Sequence, residues 1–276
     1  MPHTVGERGS WSIDADLFWG STALIQNSGA ESLVVDAETR EARFTLQRTI
    51  TDRFALQLQL PYRYTGGGNL DGFIDSWHDA FGMSEGARAA LPSDQIDIFY
   101  SRAGSSQLDM TAAADGLADI QAALGYQINP SMTAWLNVKL PTGDADKLTG
   151  SGATDVSLLL AAQHRIGDRW SVFGQGAVTW LGDGELLPAR QRSIVWSGLA
   201  GMSLRAWRGL SLTAQVDAHT AAFDSNLDFL NEALVLTVGG DYLFASGWRL
   251  DLGVSEDIAV EHSPDVVFVM GVTRGW

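Results

Sequence analysis

The sequence predicts an all-β protein: an antiparallel, up-and-down transmembrane β-barrel of about twelve strands, with a short helix in one long extracellular loop. Three observations carry the prediction. Apolar residues alternate with polar or small ones over stretches long enough to cross a membrane. Tight joints between those stretches alternate with long ones. The composition, 30 Gly and 10 Trp with only 18% charged residues among 276, suits a wall that faces lipid.

Each expected strand shows the same pattern. The first, 10–20, places Asp14 and Asp16 on one face, and the second, 33–49, places Arg43 inward. In 54–64, Phe54, Leu56, Leu58, Leu60 and Tyr62 alternate with Ala55, Gln57, Gln59 and Pro61, and Arg63 continues the polar face. In 117–128, Ile120, Ala122, Leu124 and Tyr126 alternate with Asp119, Gln121, Ala123 and Gly125. In 132–141, Met132, Ala134, Leu136 and Val138 alternate with Thr133, Trp135, Asn137 and Lys139. Strand 153–166 opens on Asp155 in the inward register. Strand 169–181 reads RWSVFGQGAVTWL, with Trp170 and Trp180 ending one apolar face. The ten residue steps from Trp170 to Trp180 rise about 33 Å, or roughly 25 Å when tilted, the height of an outer-membrane apolar band with an aromatic girdle at each interface. Strands 192–206, 209–221, 233–244, 247–257 and 264–276 repeat the pattern and bring Arg205, Asp217, Asp241 and Arg249 to the inner face.

The joints fix the topology. Those near 51–53, 129–131, 167–168, 207–208 and 245–247 are tight; 21–32, 65–116, 142–152, 182–191, 222–232 and 258–263 are longer. Short turns at one rim and long loops at the other mark a transmembrane barrel. An even strand count puts both termini on the short-turn, periplasmic side. The chain reads as one barrel domain over 1–276, with a tail at 1–9 and a possible lid or plug at 65–116. The last strand ends on Trp276, in register with Val266, Phe268, Met270 and Val272 and five positions after Gly271. Outer-membrane barrels commonly finish on an aromatic residue that the insertion machinery reads; Arg274 departs from the usual apolar position but can snorkel to head groups. A soluble two-sheet sandwich is the alternative, opposed by Gly174, Gly176 and Gly198 on faces that a core would fill with large side chains.

Composition excludes several partners. A formal charge of -15 opposes nucleic acid, and the absence of Cys rules out disulfides and thiolate metal sites. No apolar run reaches the roughly 18 residues of a spanning helix. The opening MPHTVGERGSW lacks the apolar stretch of a signal peptide, so a leader is expected to have been removed. The bacterial outer membrane is the expected location, with outer-membrane lipid and lipopolysaccharide as surroundings and a monomer as the expected state.

Three segments carry a resemblance: GGGNLDGFIDSWHDAFGM at 66–83, KLPTGDADKLTGSGATD at 139–155 and the Gly-rich last strand. Together they resemble a Gram-negative outer-membrane family of unknown function, domain of unknown function 3187. The KLPTGD element is also similar to one in other outer-membrane families, including proteins linked to degradation of phenolic compounds. The resemblance implies a barrel and its location, and brings no substrate or catalytic residue.

Function is expected in the lumen. Arg43, Arg63, Lys139, Arg169, Arg205 and Arg249 face Asp119, Asp155, Asp217 and Asp241, with His219 near the outer end of its strand. Such charges either form a transverse field across a hydrated pore or pair into a closed plug. In the long loop, Phe73, Trp77 and Phe81 share one helix face, with His78 and Asp79 beside them. That helix either gates the mouth or packs on neighbouring loops. Asp75, His78 and Asp79 have i, i+3 and i+4 spacing, yet such a cluster is more often a solvated face than a metal site. No cofactor is expected. The leading expectation is a channel for small solutes through a narrow polar lumen, restricted by loop 65–116. The alternatives are a non-conducting structural or binding barrel and an outer-membrane hydrolase, the last lacking any Ser/His pair on one strand.

Overall fold

The structure is a computed structural model that describes residues 5–68, 70, 72, 74, 76, 90–258 and 262–276. Among them, fifteen strands form a single sheet: β1 Trp11–Ser28, β2 Glu31–Thr49, β3 Phe54–Gly66, β4 Asp97–Arg102, β5 Ser105–Met110, β6 Ala114–Leu117, β7 Gln121–Asn129, β8 Met132–Lys139, β9 Asp155–Ile166, β10 Trp170–Trp180, β11 Ile194–Arg205, β12 Leu210–His219, β13 Ala233–Leu243, β14 Trp248–Asp257 and β15 Val266–Gly275. Twelve of them close on themselves. The circuit runs β1, β2, β3, then β7 through β15, and β15 returns to β1 with Ser12 opposite Gly275 and Ser21 opposite Val266. Every neighbour is antiparallel. Closure leaves no free edge, the condition for β-structure in lipid.

The alternation read from the sequence sets the two faces. Leu56, Leu58, Leu60, Leu158, Leu160 and Leu252 are large apolar residues that stay exposed on the outer wall. The soluble sandwich is thereby overturned, because its apolar faces would meet in a core. Trp170 and Trp180 end the outward face of β10, and Trp11, Trp248 and Trp276 ring the short-turn end. The tight turns at that end use Gly167, Gly209 and Gly247 at positive φ, a region in which a side chain is strained.

Three expectations need correction. Segment 21–32 is no loop: β1 and β2 run on to a tip at Gly29–Ala30, pairing without interruption from Trp11–Arg48 to Ser28–Glu31. Apolar Leu24, Leu33 and Val35 carry the strands outward because they have a partner surface to cover, which a composition-based reading of loops cannot see. Loop 65–116 contains the hairpin β4–β5, docked on the β2 extension with Glu31 opposite Arg102 and Asp36 opposite Asp97. The expected strand 117–128 is two pieces, β6 and β7, both paired to β3 and interrupted at 118–120.

Inside, the lower wall has its own apolar spot. Trp135 points inward, is nearly buried, and packs with Ala55, Ala123, Leu159 and Val5. Its ring lies over Gly125, where an added Cβ would meet three ring atoms at 2.7–2.8 Å. Gly125→Val therefore forces the indole aside. We expect a loss of about 2–3 kcal/mol, seen as a lower unfolding midpoint in detergent, while Gly176→Ala, whose Cβ meets nothing within 4 Å, is neutral.

Candidate functional site: the lumen and its extracellular cap

The strand register brings most of the expected charges to one enclosed face and pairs them. Glu41 accepts from Arg43 (2.6 Å) and Arg63 (2.6 Å), one guanidinium on each carboxylate oxygen. Arg43 also lies over Phe18, with 4.5 Å from guanidinium carbon to ring centre. Lys139 sits between Asp155 at 2.6 Å and Asp119 at 3.1 Å and donates to Ser151 Oγ. Asp119 in turn takes the backbone N–H groups of Gly143 and Ser151, and Asp155 that of Gly182, so loop backbone is tied to the wall. Arg249 pairs with Asp251 and donates to Thr273, whose hydroxyl donates to Asp14. Asp217 accepts from Gln215 at 2.9 Å, and Asp241 is buried opposite Asp251 in the register.

The remaining residues sit at the ends. His219 is exposed at the extracellular end of β12, its Nδ1 3.1 Å from the Thr220 carbonyl. Arg169 and Arg205 are exposed at the short-turn rim, where the Arg205 N–H donates to the Arg169 carbonyl. Neither forms an ion pair among the described residues.

Above this polar belt, at the long-loop end, apolar side chains pack together. Leu24, Leu33, Val35 and Ala37 face inward from the β1–β2 extension and meet Ile98, Tyr100 and Met110 of the β4–β5 hairpin. Onto the same cluster pack Leu148 from the β8–β9 loop, Leu186 and Leu187 from the β10–β11 loop, and Phe223, Leu227, Phe229 and Leu230 from the β12–β13 loop. In the circuit, β10 and β11 stand opposite β1 and β2. Side chains from opposite walls therefore meet in the middle, and the cluster is a cap. Two of its members, Leu148 (φ 54°) and Leu187 (φ 46°), hold left-handed backbone. That conformation costs a branched side chain on the order of 1–2 kcal/mol, offset by burial of the side chain in the cap.

A buried carboxylate fastens the cap. Glu31, at the tip of β2, accepts from the Tyr100 hydroxyl at 2.7 Å, the Ser225 hydroxyl at 3.3 Å and the Asn226 N–H at 3.0 Å. Arg190 approaches to 3.8 Å, itself only 16% exposed and also paired with Asp224. Nearby, Gln26 accepts from the Phe229 N–H at 3.0 Å. Burial pushes the Glu31 carboxyl up, but the donors from Asn226, Tyr100 and Ser225 and the charge of Arg190 outweigh it, so its pKa is lowered. One side chain thus joins the β1–β2 tip, the β4–β5 hairpin and two loops from the far wall.

Of the expected lid segment, Leu70 and Ile74 are buried against Trp19, Val254, Val266 and Phe268, all on the outward face, so these two side chains pack on the outer wall. The Leu70 N–H donates to Glu38, which also holds Arg40. Phe73, Trp77, His78, Asp79 and Phe81 fall outside the described residues, as does Asp75. Among the described residues no group of His and acidic side chains could hold a metal.

At the other end the tail turns inward: the Val5 N–H donates to Gln127 Oε1 at 3.2 Å and that of Gly6 to Thr49 at 3.1 Å. Sequence reasoning missed Glu41 and Glu31. Glu41 was findable, since it lies two residues from Arg43 in the same period-2 register. Glu31 was not, because it fell in a segment read as loop.

Set beside solved structures, the chain is similar to the COG4313 outer membrane channel from Pseudomonas putida F1, with a TM-score of 0.63 at 17% identity over 100% of this chain and 99% of that one. It is also similar to the NanC porin, with a TM-score of 0.52 at 7% identity over 96% and 98%. At such identities the likeness is one of fold. No curated protein matches the sequence significantly. The model for a protein family of unknown function, DUF3187, matches residues 9–276, nearly the whole barrel, and the chain belongs to that family.

Proposed function

We propose that this protein is a channel of the bacterial outer membrane for small solutes, held closed by its extracellular cap. The observation that carries the reading is the apolar cluster built from opposite walls over a belt of paired charges. A structural barrel has no use for two leucines in strained backbone and a buried carboxylate joining four segments. A closure that must open and reform does. The outer-membrane fold of the similar structures supports the location, and the even circuit supports a periplasmic short-turn end. We read it as a monomer surrounded by lipid and lipopolysaccharide, inserted through the strand that ends at Trp276. The hydrolase reading is set aside because, among the described residues, His219 and His262 engage main-chain carbonyls, of Thr220 and Glu232, and not a serine.

A second reading has one observation of its own. Val5 packs on the Ala55, Ala123 and Trp135 cluster within the short-turn end, and charge pairing continues below the cap, as expected of a non-conducting barrel. Conductance decides between them. The intact protein in a planar bilayer is expected to show rare, brief openings. Replacing residues 97–110, the β4–β5 hairpin, with a short Gly/Ser linker removes Ile98, Tyr100 and Met110 from the cap and should give sustained steps. Silence from both proteins would favour the non-conducting barrel.

A further inference from the structure

We propose that the outer wall at the periplasmic rim carries a binding site for the phosphate headgroup of an anionic phospholipid of the inner leaflet. The site is formed by Arg48 and Arg274 with Trp11, Trp248 and Trp276. The proposal rests on the outer-membrane placement above and is independent of whether the lumen conducts.

The register puts the five residues on neighbouring strands and on the same outward face. Trp11 opposes Arg48, and Arg274 opposes both Ile13 and Trp248, while the Trp11 N–H donates to the Trp276 carbonyl at 2.9 Å. Arg48 lies over the Trp11 ring at 4.5 Å and Arg274 over the Trp248 ring at 5.1 Å. Stacking fixes each guanidinium against a flat surface yet uses none of its five N–H donors.

What sets this pair apart is the missing carboxylate. The other arginines stacked on aromatic rings of the wall, Arg40 and Arg43, are neutralised by Glu38 and Glu41. Arg48 and Arg274 make neither hydrogen bond nor ion pair with any described residue, and Asp52, four residues after Arg48, pairs with neither. β2 and β15 flank β1, so the two cations stand on the order of 10 Å apart across the wall. Two oriented, unneutralised guanidiniums at head-group depth, above exposed indoles that take the glycerol and upper acyl region, match a phosphodiester with two chains.

Native mass spectrometry of the barrel in nonionic detergent, titrated with phosphatidylglycerol or phosphatidylcholine, tests the site. The wild type is expected to retain phosphatidylglycerol with about tenfold preference. Arg48→Gln with Arg274→Gln should bring the preference to about twofold or less. Arg165→Gln should leave it unchanged, because Arg165, opposite Ser171 near the short-turn end of β9, shares the inward register of Asp155. Excess inorganic phosphate should not displace the lipid. Equal binding of the two lipids by the wild type, preference kept by the double variant, or equal loss in Arg165→Gln would overturn the proposal. Displacement by phosphate alone would reduce it to an anion site. Loss of the barrel's β-sheet circular dichroism in the double variant would shift the test to Trp11→Leu with Trp248→Leu, which keeps both charges and is expected to lose most of the preference. Binding by that variant at the wild-type level would overturn the part assigned to the indoles. Should the protein stay folded and monodisperse without detergent, the membrane placement fails, and that failure is distinct from loss of lipid preference.

Discussion

A barrel carrying Glu31→Ala is expected to stand open most of the time in a planar bilayer, where the wild type opens rarely. The substitution removes the acceptor for the Tyr100 hydroxyl, the Ser225 hydroxyl and the Asn226 N–H, and it takes the nearby anion from the largely buried Arg190. Breaking a buried charged network of this kind costs about 3 kcal/mol, or about two powers of ten in the closed-to-open ratio. Acid should act in the same direction. Because the folded pKa of Glu31 is depressed, the cap's stabilisation is complete above the ordinary glutamate range and is lost as pH falls through the lowered value. Wild-type openings should therefore multiply below about pH 4. Asp224 faces the same Arg190 but is largely exposed, at 72%. Glu31→Gln separates them: it keeps an acceptor and loses the titration, so openings should be moderately raised and nearly flat with pH. A wild type indifferent to acid, together with a silent Glu31→Ala, would remove Glu31 from the closure.

The outer wall was legible in the sequence because lipid imposes one rule on every strand: apolar outward, with Trp at the interfaces. Thus Leu56, Leu58 and Leu60, or Trp170 and Trp180, declare their face without knowledge of any partner. The cap was not legible, for a physical reason. Leu24 and Leu33 are buried, and Leu148 partly buried, by segments distant in sequence, and local periodicity carries no information about which distant segment supplies the contact. The Leu70 and Ile74 segment illustrates the same point from the other side. An apolar residue says only that something covers it; for Leu70 and Ile74 the cover is the barrel's own outer wall. In the lumen, Arg43, Arg63 and Lys139 were identified by register alone. Their pairing with Glu41, Asp119 and Asp155 needed the cross-strand geometry.

Glu41 links the two closures. It holds Arg63, whose Nη1 donates to the Leu148 carbonyl at 3.0 Å, and the Leu148 side chain packs on the cap. Glu41→Ala is therefore expected to act twice. In the lumen it leaves Arg43 and Arg63 without their shared carboxylate, raising the local charge from one net positive to two. In the background of the 97–110 replacement, where ions pass freely, the reversal potential in a salt gradient should shift toward chloride, with permeability changed several-fold. Two uncompensated guanidiniums near the ion path interact with it by a few kcal/mol at an effective dielectric of about 20. At the cap, Arg63 is freed to leave Leu148, so the strained turn loses one of its supports and the closed state weakens by about 1–2 kcal/mol. If the two networks form one closure, Glu41→Ala and Glu31→Ala will raise open probability less than additively, by more than about 0.5 kcal/mol of coupling. Strict additivity would place Glu41 in the conduction path alone. An unchanged reversal potential in the cap-deleted barrel would instead mean that ions bypass the Glu41 triad and follow another face of the lumen.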